Sequence, residues 1–193
     1  NSVLPILAAA AMQRETTVKN IPFLSDVSNT LGILKKLGIL IKAENNTINI
    51  LGSLSTTVID KDLSSKMRSS ILFMGALLGK FGSVTIYRPG GCQLGERPID
   101  VHLWAMKKLG AEIIEKGESI ICKGRLKGCE INMPIVSVGV TENIILAAAN
   151  AKGTTVIKNC AKEPEIDDLI AYLNKCGSRI KREKSTIVIE ESN

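Results

Sequence analysis

The sequence predicts an α/β fold built from three similar units around a shared core of buried helices. Three observations carry that prediction. One helix ending recurs three times, each copy lies between a short β-branched strand and two later ones, and each unit adds a helix that is apolar almost all round. The ending reads Leu-Lys-Lys-Leu-Gly at 34–38, Met-Lys-Lys-Leu-Gly at 106–110 and Leu-Asn-Lys-Cys-Gly at 173–177. Gly at the last position suits a left-handed C-cap, which a residue without Cβ enters at no steric cost.

Within each unit the elements follow in a fixed order. The apolar helices are expected over 2–12, 66–78 and 141–151, and a helix with no polar face must be buried on most sides. Strands follow at 17–19, 84–86 and 155–157, rich in Thr, Val and Ile. Asp26, Asp100 and Asp167 then open more amphipathic helices over 27–37, 100–109 and 166–175, where a carboxylate can satisfy free N–H groups and match the helix dipole. Strand-like residues follow each glycine, as at 111–114 and 178–180, and closing strands are expected at 47–50, 119–122 and 186–189. One repeat alone could not bury its apolar faces, so the whole chain, 1–193, is read as a single domain. Its three repeats span about 1–51, 52–124 and 125–193.

Composition narrows the function classes. The chain has 193 residues, 45% hydrophobic but only 3% aromatic, so Leu, Ile, Val and Ala must fill the core. Five cysteines with no CxxC pair, and a single histidine, argue against a zinc site or any resident metal. Cys122, Cys129, Cys160 and Cys176 lie in apolar runs or at element ends, where a reduced cysteine serves as a small core residue. No signal peptide or bilayer-spanning run is read, and a cytoplasmic location is expected. The net charge of +6 invites a nucleic-acid reading, but the lysines are dispersed and aromatic platforms for bases are scarce. Neither a nucleic-acid partner nor a membrane is expected, and a small anionic substrate explains the basic balance.

The most informative stretch is Arg88-Pro-Gly-Gly-Cys92-Gln-Leu-Gly95-Glu-Arg97-Pro98-Ile99-Asp100-Val-His102. Its glycines let the backbone approach a ligand closely. Arg88 and Arg97 flank the thiol; guanidinium groups lower a thiol's pKa and bind phosphate or carboxylate bidentately. The loop therefore reads as a reactive thiol beside an anion site.

Together with Asn1-Ser-Val-Leu-Pro, Arg68-Ser-Ser-Ile, Ser137-Val-Gly139-Val-Thr141-Glu-Asn and Glu163-Pro-Glu-Ile, this loop resembles the UDP-N-acetylglucosamine 1-carboxyvinyltransferases. These are enolpyruvyl transferases that open peptidoglycan synthesis. The resemblance covers essentially the whole chain. It implies βαβαββ units in an inside-out α/β barrel, and a two-domain enzyme of which this chain is the cysteine-loop half. The family's Lys before Asn1 and the second domain, with its proposed base, are then missing, so the chain is expected to be an excised domain that does not turn over by itself.

The reaction implied is transfer of the enolpyruvyl group of phosphoenolpyruvate to the 3-hydroxyl of UDP-N-acetylglucosamine, with no cofactor. Cys92 matches the family's cysteine, as proton donor or covalent nucleophile and as the target of the epoxide antibiotic fosfomycin. Arg68 and Arg97 match arginines of the phosphoenolpyruvate pocket, whereas Arg88 lacks that support. The nucleotide sugar is expected along Asn1, Arg97, Pro98, Ile99, Asp100, His102, Ser137, Val138 and Gly139, with the diphosphate on the N–H groups of a helix start. Two departures, Ile135 and Ser25 where family members carry lysine, remove positive charge near anionic substrates. Two alternatives stay open: an RNA-binding or RNA-end-processing protein of βαβαβ repeats, and a non-catalytic homologue that only binds a sugar nucleotide.

Overall fold

The computed structural model describes residues 2–22, 24–66, 68–88 and 99–192. Three small sheets follow one another along the chain. The first is β1 (Glu15–Lys19), β3 (Thr47–Leu51) and β2 (Leu40–Glu44), in that spatial order. The second, β4 (Ser83–Tyr87), β6 (Ser119–Lys123) and β5 (Glu112–Lys116), repeats it. The third, β8 (Thr155–Lys158), β10 (Thr186–Glu190) and β9 (Arg179–Glu183), adds an outer strand β7 (Glu130–Asn132) parallel to β8. In every sheet the last strand in sequence sits centrally and pairs antiparallel with both neighbours.

An amphipathic helix links the two strands that flank the last strand of each sheet: α2 (Ser25–Lys36), α5 (Asp100–Lys108) and α7 (Pro164–Lys175). All three end in the same pair of backbone bonds. The N–H groups of Gly38, Gly110 and Gly177 donate to the carbonyls of Lys35, Lys107 and Asn174. Those of Ile39, Ala111 and Ser178 reach back to Leu34, Met106 and Leu173. This is the Schellman geometry, and each glycine holds a φ near +100°, between 96° and 101°. The strand pairs 40–51, 112–123 and 179–190 close with two-residue turns whose first central residue, Asn45, Gly117 or Lys184, also has positive φ.

The inner helices are α1 (Val3–Ala10), α4 (Leu72–Phe81) and α6 (Val138–Ala148). Residues 72–78 are all buried, as are 140–148. α4 packs against both α1 and α6. Its approach to α6 is backbone to backbone: a Cβ at Gly75 would lie 2.2 Å from the Asn143 carbonyl oxygen, and one at Gly79 2.5 Å from that of Ala147. Real Cβ contacts are never so short, so only glycine fits at either position.

The structure corrects several expectations. The helix expected over 66–78 is divided into α3 (Lys61–Lys66), a 3₁₀ turn (Arg68–Ile71) and α4. Serine is a poor interior helix former, and the Ser70 hydroxyl bonds to the Ser64 carbonyl rather than facing solvent (3.3 Å). α6 starts three residues earlier than expected. Asp26, Asp100 and Asp167 lie in first turns but cap nothing; the N-cap residues are Leu24, Ile99 and Glu163, none with a side-chain bond to the helix. Asp167 pairs instead with Arg182 on β9, at 2.8 Å. Three short pairings were not foreseen, β7 with β8 and parallel bridges from Val58 to Thr85 and from Lys127 to Lys152, because each is too short for periodicity to reveal.

Candidate functional site

Three of the segments singled out in the sequence meet at the N-terminal ends of α4, α5 and α6. The 3₁₀ turn carrying Arg68 leads directly into α4, and its last carbonyl, Ile71, accepts from the Asn143 side chain of α6 at 3.2 Å. The same Asn143 amide lies 3.0 Å from Nδ1 of His102, in the first turns of α5. The His102 ring in turn faces the first turn of α6, since a Cβ built on Gly139 would stand 3.7 Å from its Cε1.

The head of α6 is held from several sides. Ser137 is the N-cap, extended in backbone, and its hydroxyl accepts from the Val140 N–H at 3.4 Å. Ser137, Val138 and Gly139 remain partly exposed. Thr141, fully buried, donates to the Ser137 carbonyl (2.8 Å) and accepts from the Ala161 N–H (3.1 Å). Asn159, at positive φ, donates to the Met133 carbonyl (2.9 Å) and so fixes the segment that enters the helix. A helix start presents N–H groups with no intrahelical partner and the positive end of the dipole, which together favour an anion. Immediately before it, Ile135 and Val136 expose more than half their surface.

Of the other residues named from the sequence, Ile99 is buried as the N-cap of α5, and Asp100 is exposed as its first residue. Asn1, Cys92, Arg97 and Pro98 lie outside the described residues, as does the Arg68 side chain. Arg88 forms an ion pair with Glu115 on β5, the strand on the far side of β6, which gives it a structural partner.

The other four thiols are all raised above the ordinary cysteine value, chiefly by burial. Burial pushes the Cys122 thiol up to about 11, with the Glu115 charge adding to it. Burial also raises Cys129, which donates to the Lys108 carbonyl at 3.3 Å, and Cys160. Cys176 departs from expectation: it is exposed at the C-terminal end of α7, although partial burial still raises its thiol. Among the described residues no cluster of three or more His, Cys, Asp or Glu could hold a metal ion, and no helix is long and apolar enough to cross a membrane.

What sequence reading missed is the polar run Thr141-Glu142-Asn143 inside an otherwise apolar helix. Glu142 is 6% exposed, and burial, reinforced by the Glu165 charge, raises its carboxyl to about 7. The signal was present as three consecutive polar residues at the start of a helix read as apolar almost all round.

Comparison with known proteins adds the following. The model of the EPSP synthase (3-phosphoshikimate 1-carboxyvinyltransferase) family matches residues 1–192. The chain is 44% identical to "UDP-N-acetylglucosamine 1-carboxyvinyltransferase 1" of Carboxydothermus hydrogenoformans, over 97% of this chain and 45% of that protein. It is 46% identical to "UDP-N-acetylglucosamine 1-carboxyvinyltransferase 2" of Caldanaerobacter subterraneus subsp. tengcongensis, over 98% and 46%. The chain thus spans about half the length of the curated relatives it matches. Among solved structures, the enolpyruvyl transferase NikO of Streptomyces tendae superposes with a TM-score of 0.85 at 20% identity, over 100% of this chain and 46% of that one. An EPSP synthase of Acinetobacter baumannii gives 0.75 at 22%, over 97% and 45%. These two likenesses establish the fold.

Proposed function

This chain belongs to the EPSP synthase family, and from that premise we propose that it is the cysteine-loop half of a UDP-N-acetylglucosamine 1-carboxyvinyltransferase. The observation that carries the reading is the 44–46% identity to proteins of that name over nearly the whole chain. The meeting of the Arg68 turn, His102 and the Ser137–Gly139 helix head at one end of the inner helices supports it. The work proposed is a cytoplasmic step of peptidoglycan synthesis that needs no cofactor, nucleic acid or membrane.

In this reading the chain supplies an anion seat, a proton donor and part of the nucleotide site. Arg68 and Arg97 hold the phosphate and carboxylate of phosphoenolpyruvate, because a planar guanidinium meets either group bidentately and stays charged. Cys92 delivers a proton to the methylene carbon as the sugar 3-oxygen adds to the neighbouring carbon. Loss of a proton from the resulting methyl group and of phosphate then restores the double bond on the sugar. The Val138 and Gly139 N–H groups seat the diphosphate, with Asn1, Pro98, Ile99, Asp100 and His102 around the rest of the nucleotide sugar. A second domain closes the site and supplies the base.

The family model carries the name of the shikimate 3-phosphate enzyme, so the acceptor is what the test must separate. Phosphate release from phosphoenolpyruvate is measured on the full-length protein containing this chain, with UDP-N-acetylglucosamine or with shikimate 3-phosphate as acceptor. Turnover with the nucleotide sugar alone is expected. Turnover with shikimate 3-phosphate alone overturns the reading.

A further inference from the structure

Asn143 has no exposed surface, and two of its partners have hydrogen-bonding roles that cannot change. The Gly75 N–H can only donate, so the Asn143 atom 2.7 Å from it is the amide oxygen. The Ile71 carbonyl can only accept, so the atom 3.2 Å from it is the amide nitrogen. Both constraints set the amide the same way round. The second hydrogen of that nitrogen is then directed at Nδ1 of His102, 3.0 Å away. Nδ1 must accept, and the neutral ring carries its proton on Nε2. Gly75 makes this possible, because a Cβ there would stand 2.3 Å from the Asn143 oxygen. The Cε1–Nε2 edge of the ring is the one turned toward Gly139, with Nε2 4.0 Å from where a Cβ at 139 would be.

We propose that Asn143 is a positioning residue that locks His102 in its Nε2–H tautomer, making the ring a fixed hydrogen-bond donor to an acceptor oxygen of the nucleotide at the head of α6. The donor role rests on the function proposed above; the lock does not. A histidine free to choose its tautomer can meet either a donor or an acceptor, whereas a locked one selects for an acceptor. Specificity is thereby built in from a residue that never touches the ligand.

The chain has one histidine, so a long-range nitrogen–proton correlation spectrum reports a single imidazole. At about pH 8, where a histidine of ordinary pKa is neutral, Nδ1 should show a pyridine-type shift and Nε2 a pyrrole-type shift. A pyrrole-type Nδ1 in the unmodified chain overturns the lock, whatever any variant does. Asn143→Asp sets an acceptor before Nδ1 and should move the proton onto it. Adding UDP-N-acetylglucosamine should shift Nε2 and leave Nδ1 pyridine-type, and Asn143→Asp should weaken that binding roughly threefold to tenfold, the loss of one neutral hydrogen bond. Calorimetric binding of the nucleotide without a change at His102 overturns the donor role and leaves the proposed function standing. No binding to the full-length protein containing this chain, with the tautomer as expected, overturns the proposed function and the donor role together.

Discussion

Glu142→Gln should stabilise this protein, and by an amount that depends on pH. Glu142 is 6% exposed within α6, and its carboxyl is raised from 4.5 to about 7, first by burial and second by Glu165. Between those two values the folded state holds the proton more tightly than the unfolded state does. Stability from this group is therefore fully present below about pH 4.5 and is lost as pH rises to about 7, where the buried carboxyl ionises. At 1.36 kcal/mol per pH unit, a gap of that size corresponds to about 3 kcal/mol at pH 8, an upper figure because a charged side chain can shift toward water. Glutamine keeps the shape and removes the charge. Urea unfolding of both proteins from about pH 5 to 8 should show the variant gaining as pH rises, with the midpoint moving and the slope unchanged. A variant no more stable than the parent at pH 8, or one whose advantage is the same at every pH, would refute the argument.

The packing and the thiol environments lead to further expected outcomes. Gly75→Ala should destabilise by about 3 kcal/mol or more, because the new methyl would sit 2.2 Å from the Asn143 carbonyl on a helix that cannot move away; thermal unfolding measures it. Limited iodoacetamide followed by peptide mapping should label Cys92 before Cys122, Cys129, Cys160 and Cys176, whose thiols are all raised; exposed Cys176 is the strongest competitor, and label there first would sink the proposed role of the loop. In the full-length protein, fosfomycin added with UDP-N-acetylglucosamine should modify Cys92, and Cys92→Asp should resist it. The 193-residue chain alone should release phosphate from phosphoenolpyruvate only at background, and multiple turnover would show that the second domain is not required.

The fold was readable where local chemistry repeats. Three glycines after three basic helix ends predicted three left-handed caps, and each of Gly38, Gly110 and Gly177 adopts one. Propensity failed where tertiary contacts took over. Ser69-Ser70 reads as helix interior, yet the Ser70 hydroxyl turns to the Ser64 backbone and the segment tightens into a 3₁₀ turn. Asp26, Asp100 and Asp167 read as caps because sequence alone does not fix where a helix begins; they lie two, one and four residues past the N-caps Leu24, Ile99 and Glu163, inside the first turn rather than at its cap.

The site was legible in its parts and not in their connection. Ser137, His102 and the Arg68 turn were each picked out by type and neighbours, but nothing in their spacing says that Asn143 joins the last two. That link depends on α4 and α6 approaching until backbone meets backbone, which only Gly75 and Gly79 permit. Once the helices are that close, a side chain from one must satisfy the backbone of the other. The Gly75 N–H and the Ile71 carbonyl lie at the start of α4, and only a group with both donor and acceptor can serve the two at once. Asparagine does so and has one hydrogen left, which falls on His102. A polar residue within an apolar helix, opposite a glycine of another, is therefore a readable sign that a buried hydrogen-bond relay connects two elements far apart in sequence.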